Sequence, residues 1–386
     1  MKVLGIESSC DECAAAVVLD GRQVLSNVVA TQIPYHAAYN GVVPEIASRM
    51  HTEWISGVVG EALAKAGLGP GDIDGVAATA HPGLLGSLLV GLSFAKAFAW
   101  ARKLPFIAVD HMLAHLYAPR LVLSPVHSAD QRPEDAVPVD YPFLGLLVSG
   151  GHSIICRVEG FDDITVLGTS IDDAVGEAFD KVSKYYGFGY PGGAVIDKLA
   201  KTGDPAAFRF PMPNLYKGGP QGIDHRYDVS YSGLKTAVIN QLEQFRVKPR
   251  AAGADTGVED EAEVVPDSGV ASEADSEAES VPDSADIAAS FQKTAIEILL
   301  RSLFRAAEDT GLTTIVAGGG VAANSLLRSR LAERTGLRCV FPPLELCGDN
   351  GAMIAGLGYQ YLARGDRSPL NVTASARVKA FKRQYP

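Results

Sequence analysis

Two imidazoles four residues apart, His111 and His115, are the side chains in this sequence best spaced to grip one divalent cation. Residues four apart lie on one face of a helix. The run Leu104–Val109 ahead of them reads as a strand. The pair is therefore expected just beyond a strand's carboxyl end, where ligand sites of α/β sheets collect. Asp349 is the candidate third ligand, because a helix is predicted over Gly351–Leu362 and its positive end favours a carboxylate there. The competing reading of Asp349 is a plain N-cap. Two neutral imidazoles and one carboxylate would suit Fe(II) first and Zn second, one metal per chain, with coordination positions left for a substrate. A zincin peptidase is excluded by order: Met112 stands where the general-base Glu would follow the first His, and Ala114 stands where the inverted motif needs Glu.

Three further segments carry the signature of a nucleotide site. Phe143–His152 and Thr314–Asn324 are apolar, β-branched runs that break directly into glycines, which let backbone N–H groups approach a ligand closely. Val3–Asp11 has the same shape, but its turn carries hydroxyls and carboxylates. Asp173, Glu177 and Asp180 fall at helical spacing, and the first two are expected on a solvated face. Asp180 and Asp197 flank the glycine turn Tyr190–Gly193, a context suited to accepting ribose hydroxyl protons.

These residues need two bodies to position them. At 386 residues the chain exceeds one compact core, and its 47% hydrophobic content can supply two. The pattern strand, ligand turn, strand, Gly turn, strand occurs from Leu4 and again from Leu146, so each half is expected to start with antiparallel hairpins. Amphipathic helices follow, one through Trp54–Ala66 ending at Gly67, another through Ile287–Leu303 ending near Gly311. The expected fold class is thus α/β, with two domains facing across a nucleotide cleft. The expected boundaries are 1–122 and 143–386, joined by a proline-rich linker at 123–142.

The net charge of −11 would discourage a nucleic-acid partner if it were evenly spread. It is not: Ala251–Asp286 holds twelve acidic residues and no Lys or Arg, so the rest of the chain stands at +1. That stretch, within a surface insertion at about 249–286, is expected to be disordered. Five cysteines at irregular spacing fit a reducing compartment, and the single Cys10–Cys13 pair lacks the second pair of a structural zinc site. The apolar run Leu84–Trp100 is broken by Gly86, Gly91 and Lys96 and reads as a buried helix. No signal sequence is read at the N-terminus, and a cytoplasmic location without membrane attachment is expected.

Taken in order, Leu4–Glu12, Gly41–Arg49, Leu146–His152, Asp172–Lys181, Tyr190–Gly193, Tyr231–Thr236 and Asp349–Met353 resemble the TsaD family of tRNA N6-adenosine threonylcarbamoyltransferases along nearly the whole chain. The resemblance implies two actin-like, Hsp70-like (ASKHA, ribonuclease H-like) domains. It implies threonylcarbamoyl-AMP as donor and adenosine 37 of tRNAs reading codons that begin with A as acceptor. It implies a metal on His111, His115 and Asp349, and adenylate contacts from Leu146, Leu147, Val148, Ser149, Gly150, Asp180, Gly193, Asp197 and Asn324. A TsaB-like paralogue and a TsaE-like P-loop ATPase are the implied partners. The sequence departs from the family pattern at Leu113-Ala114, where Glu-Gly is usual, at His81 for Gly, and at Cys13 for Thr. The alternative class is an ATPase or kinase of the same superfamily, against which the histidine pair speaks, since Mg ions prefer oxygen ligands. Arg226, Lys235, Arg377, Lys379, Lys382 and Arg383 are candidate phosphate contacts for RNA.

Overall fold

The computed structural model describes residues 1–39, 41–123, 139–215, 225–246, 284–377 and 382–383. Its frame is two six-stranded sheets with the same wiring. In the first, β1 (Lys2–Glu7), β2 (Glu12–Leu19) and β3 (Gln23–Thr31) pair antiparallel. β4 (Gly75–His81) and β5 (Phe106–Asp110) add in parallel beside β1, and β6 (Val122–Leu123) closes the far edge against β3. The second sheet repeats the plan. β7 (Phe143–Val148), β8 (Ser153–Val158) and β9 (Ile164–Thr169) pair antiparallel, β10 (Thr314–Gly318) and β11 (Arg338–Val340) lie parallel beyond β7, and β12 (Lys382–Arg383) pairs with β9. The hairpin starts expected at Leu4 and Leu146 are therefore observed. They follow from runs such as Ala14–Val18 and Phe143–Val148, whose side chains are buried on both faces.

After the single turn α1 (Ile33–His36), helices α2 (Pro44–Lys65) and α3 (Leu85–Arg102) cover the outer face of the first sheet. α2 ends where its periodicity predicts, with Gly67 at φ +67° turning the chain out of the helix. α3 is less buried than expected: Leu88, Leu92, Ala95 and Ala99 face the sheet, whereas Leu85, Leu89 and Trp100 are exposed. The helix is apolar on both sides, so composition alone could not show which side is covered. The remaining helices are α4 (His111–Tyr117), α5 (Val175–Tyr186), α6 (Gly192–Leu199), α7 (Ser232–Arg246), α8 (Ser284–Thr310), α9 (Ser325–Ala332) and α10 (Gly351–Arg364). Of these, α4 and α10 form the middle layer, sharing one core with both sheets, while α5 and α8 cover the outer face of the second.

Residues 124–138 of the expected linker and 249–283 of the expected acidic insertion lie outside the described residues. The insertion is shorter than expected at its end: Ser284–Asp286 begin α8, and the Asp286 carboxylate accepts the backbone N–H of Asp204 at 2.6 Å. A carboxylate in a helix's first turn is favoured by the helix dipole, so acidity was a misleading guide there. Among the described residues no helix is long and apolar enough to cross a membrane.

The middle layer depends on glycine. A Cβ added to Gly5 of β1 would lie 2.3 Å from the Gly351 carbonyl and 2.4 Å from the Ala355 N of α10. One added to Gly318 of β10 would lie 2.4 Å from the His115 carbonyl of α4. These approaches are backbone on backbone, so no rotamer change could relieve them. Gly5→Ala is expected to destabilise the protein by more than the ~1–3 kcal/mol of ordinary overpacking, whereas Gly57→Ala in α2, which meets nothing within 4 Å, should leave the melting temperature unchanged or raise it. Thermal denaturation of the two variants side by side checks this, and equal melting temperatures would refute it.

Candidate metal and nucleotide cleft

Asp110, at the end of β5, caps α4 by accepting the backbone N–H groups of Met112 at 2.8 Å and Leu113 at 3.0 Å. That cap starts the helix at His111 and sends both imidazoles to one side. At the start of α10 the capping residue is Asn350, whose Oδ1 accepts Met353 N–H at 3.0 Å. Asp349 is thereby released from capping, and its carboxylate turns to the histidines. His115 Nε2 lies 3.0 Å and His111 Nε2 3.5 Å from Asp349 Oδ1. One ligand atom from each of the three residues falls within 4.8 Å of the other two. The cluster expected from spacing is therefore assembled, and it is compatible with a divalent cation.

A buried carboxylate braces it from behind. Glu7, the last residue of β1 and fully buried, places Oε2 2.9 Å from His111 Nδ1, while the Thr79 hydroxyl donates to the same oxygen at 2.6 Å. A carboxylate on the far nitrogen fixes the imidazole tautomer and leaves Nε2 to point at a metal. Burial raises the carboxyl pKa of Glu7, but the neighbouring His111 outweighs this and holds it below its usual value. For His111, burial disfavours the imidazolium; the carboxylates of Asp349 and Glu7 more than reverse this and raise its pKa. Asp349 is likewise opposed by burial and lowered by His111 and His115. His115 has no such brace, since its Nδ1 is buried without a hydrogen-bond partner among the described residues. Sequence reading missed Glu7 as a functional group. The only signal was a carboxylate ending an otherwise apolar strand.

The glycine turns meet this cluster. His152, at the end of the β7–β8 turn, is held to about 4 by burial and by the nearby His111 and His115. Across the cleft, burial together with Asp11 and Asp180 raises the Tyr190 hydroxyl pKa, so the β1–β2 turn of the first half faces the Tyr190–Gly193 turn of the second. The expected nucleotide contacts divide by what they offer. Leu146 and Val148 bury their side chains on the α5 and α8 side of the sheet, and Leu147 on the α4 and α10 side, which leaves Ser149 and Gly150 as the exposed part of that turn. A Cβ at Gly150 or Gly193 would meet nothing within 4 Å, so both turns are open. Asp180 Oδ1 accepts Gly192 N–H at 2.7 Å and shapes the second turn. Asp197 accepts from the Ser325 hydroxyl at 2.7 Å, and Asn324 caps α9 through Leu327 N–H while donating to Gln292 Oε1 at 3.1 Å.

Two other expectations need correction. Asp173 precedes α5 and is not on a solvated helical face; it accepts from Lys181 at 2.7 Å and from Lys235. Lys235 is therefore committed to an ion pair. Cys10 and Cys13 are free, as are the other three cysteines. The apolar departures Leu113 and Ala114 are buried in the middle core, and the hydrogen bonds that hold the His111 ring come from Glu7 and from the Ser9 hydroxyl, 3.2 Å from Nδ1.

A family model described as TsaD, tRNA N6-adenosine threonylcarbamoyltransferase, matches residues 23–356. A protein of that name from Treponema denticola is 60% identical over 384 residues, covering 100% of this chain and 99% of the relative. One from Borreliella burgdorferi (strain ZS7) is 44% identical over 385 residues, covering 100% of this chain and 96% of the relative. Among solved structures, HypF of T. kodakarensis superposes with a TM-score of 0.52 at 15% identity, covering 94% of this chain and 48% of that one. The last likeness concerns fold alone, and the architecture is the expected pair of actin-like domains.

Two outcomes follow for the metal. Glu7→Gln should keep the fold but weaken divalent-metal affinity by ~10–100-fold, and Asp349→Ala should abolish stoichiometric binding, both read by titration calorimetry with metal content by mass spectrometry. Metal entry must displace the proton that the two carboxylates hold on His111. With the His111 pKa raised to about 10, affinity should climb with pH up to that value with release of protons to buffer, and an affinity independent of pH would contradict the site.

Proposed function

This chain belongs to the TsaD family of tRNA N6-adenosine threonylcarbamoyltransferases, and from that premise we propose that it moves the threonylcarbamoyl group of threonylcarbamoyl-AMP to N6 of adenosine 37 in tRNAs reading codons that begin with A. The observation that supports this most directly is the convergence of His111, His115 and Asp349 beside the open glycine turns of the second sheet. The donor is a mixed anhydride and is already activated. A new bond forms between adenine N6 and the carbamoyl carbon, the bond from that carbon to the AMP phosphate oxygen breaks, AMP departs with the electron pair, and N6 loses one proton.

Such a reaction asks mainly for positioning. Ser149 and Gly150 are assigned to the phosphate through the Ser149 hydroxyl and the Gly150 backbone N–H, because the Ser149 N–H already donates to the His152 carbonyl at 2.8 Å. Gly193, with the turn held by Asp180, and also Asp197 of α6 and Asn324 at the start of α9 are assigned to the ribose and base of AMP. Leu146, Leu147 and Val148 contribute by fixing the turn from within the core. Two neutral imidazoles and one carboxylate suit Fe(II), with Zn as the second choice. When bound, the metal supplies a Lewis acid that can orient and polarise the threonylcarbamoyl group. Glu7 holds the His111 ring at the angle that serves this purpose, and His152, kept neutral by its surroundings, can accept or donate a hydrogen bond at the cleft mouth.

The domain boundaries 1–122 and 143–386 are retained in this reading, with α10 serving the first sheet. A TsaB-like paralogue and a TsaE-like P-loop ATPase are proposed as partners, and the cytoplasm as the location. Nucleoside mass spectrometry of tRNA incubated with the chain, its partners and synthetic threonylcarbamoyl-AMP tests the activity. The modified nucleoside should appear with the unaltered chain and fall by at least ~100-fold in Asp349→Ala while AMP binding persists. Undiminished product from that variant would remove the metal cluster from the reaction.

A further inference from the structure

In the second half, Arg226, Arg301 and Arg305 line a notch completed by Met212, Pro213 and Leu215. Arg301 and Arg305 are four residues apart on α8, so they project from one face. Neither has a carboxylate partner among the described residues. Arg305 is held in place by donating to the Arg226 carbonyl at 3.0 Å, and Arg301 is exposed. The acids nearby are already engaged. Asp228 is buried and accepts from His225 at 2.8 Å and from Thr169 N–H at 2.7 Å, and Asp309 lies 3.6 Å from Arg226 and accepts the Tyr227 hydroxyl. Two uncompensated guanidiniums thus remain in a concave site with about 20 Å³ of free space, room for one group the size of a water or a phosphate oxygen.

We infer that this notch grips a backbone phosphate of the RNA substrate, a reading that rests on the proposed function. Guanidinium pairs match phosphate oxygens in bidentate geometry, and the apolar wall suits a ribose. Its place on α8 fits the chemistry. Gln292, which holds Asn324 at the nucleotide turn, precedes Arg301 by nine residues on the same helix, about 13.5 Å of axial rise. The notch thus lies on the helix that also steadies the donor-nucleotide turn, so RNA reaching that turn can extend along α8 to the notch. Of the cations expected to contact RNA, Arg226 is in this notch, whereas Lys235 is paired to Asp173.

The test uses the full chain with unmodified tRNA, measuring Kd by fluorescence anisotropy across a salt series. Arg301→Glu is the chosen variant, because Arg301 supports no other side chain, whereas Arg305 also holds the Arg226 turn. It should weaken tRNA binding by ~10-fold and lower the salt slope of log Kd by about one, with threonylcarbamoyl-AMP affinity unchanged, and Arg301→Lys should retain most of the slope. An unchanged Kd and slope in Arg301→Glu, with tRNA still modified, would overturn the notch while leaving the activity standing. Loss of a protein partner at unchanged tRNA affinity would instead assign the notch to an acidic protein surface and overturn it equally. Failure of the unaltered chain to modify tRNA at all would count against the activity itself.

Discussion

The distance at which α10 rides on β1 determines most of what this molecule can do. Gly5 allows the Gly351 carbonyl and the Ala355 N to come closer than any side chain would permit, and Gly351 in turn presses on the Ala15–Ala16 backbone of β2. Gly358 packs against Ala77 of β4 in the same way. With no side chain between them, helix and sheet interlock, and the residue just ahead of the helix is carried to a fixed point above the end of β1. That residue is the cap Asn350, and Asp349 is carried immediately before it. A helix seated higher, on larger side chains, would leave its carboxylate too far from the histidines to share an ion.

A second set of contacts brings the histidines to the same point. α4 is buried along its whole length, with Gly318 of β10 against the His115 carbonyl on one side and α10 on another. Burying two imidazoles and two carboxylates together is costly unless each is paired. The pairs are present: Glu7 with His111, Asp349 with both histidines, and Thr79 with Glu7. The cluster is consequently both a liability for folding and a preorganised receptor for positive charge. The chain holds it in place through apolar packing in which Leu113 and Ala114 take part.

How much of this could be read from residues alone depended on whether the signal was local. The His111/His115 pair, the glycine turns and the two hairpin starts are short-range patterns set by periodicity, and they are found where they were expected. The join of Asp349 to the histidines across more than two hundred residues was legible only through chemistry, as a carboxylate ahead of a predicted helix, and through the family resemblance. Glu7 was not legible: nothing in a strand's alternation distinguishes a buried acid from one at a surface turn. Asp173 misled because a helical spacing was assigned to a residue that lies outside the helix. Asp286 misled because a run of acids was taken as uniform, although its last member folds. The Arg301–Arg305 notch was half visible, as Arg226 in the sequence, and needed α8 and the 212–215 segment to come together.

The two sheets share one strand order, so each contributes an equivalent first turn to the cleft, yet one turn is acidic and the other uncharged. The turn after β1 is rich in acids, with Glu7, Asp11 and Glu12 at or beside it, while the turn after β7 is Ser149, Gly150, Gly151 and His152. Duplicated wiring has thus become a slot with one anionic wall and one wall of hydrogen-bond donors. An anionic guest cannot enter such a slot in either sense with equal ease. Its phosphate is driven to the donor wall, and its uncharged end is left facing the acids and whatever cation they retain, so the polarity of the slot alone chooses the direction of loading.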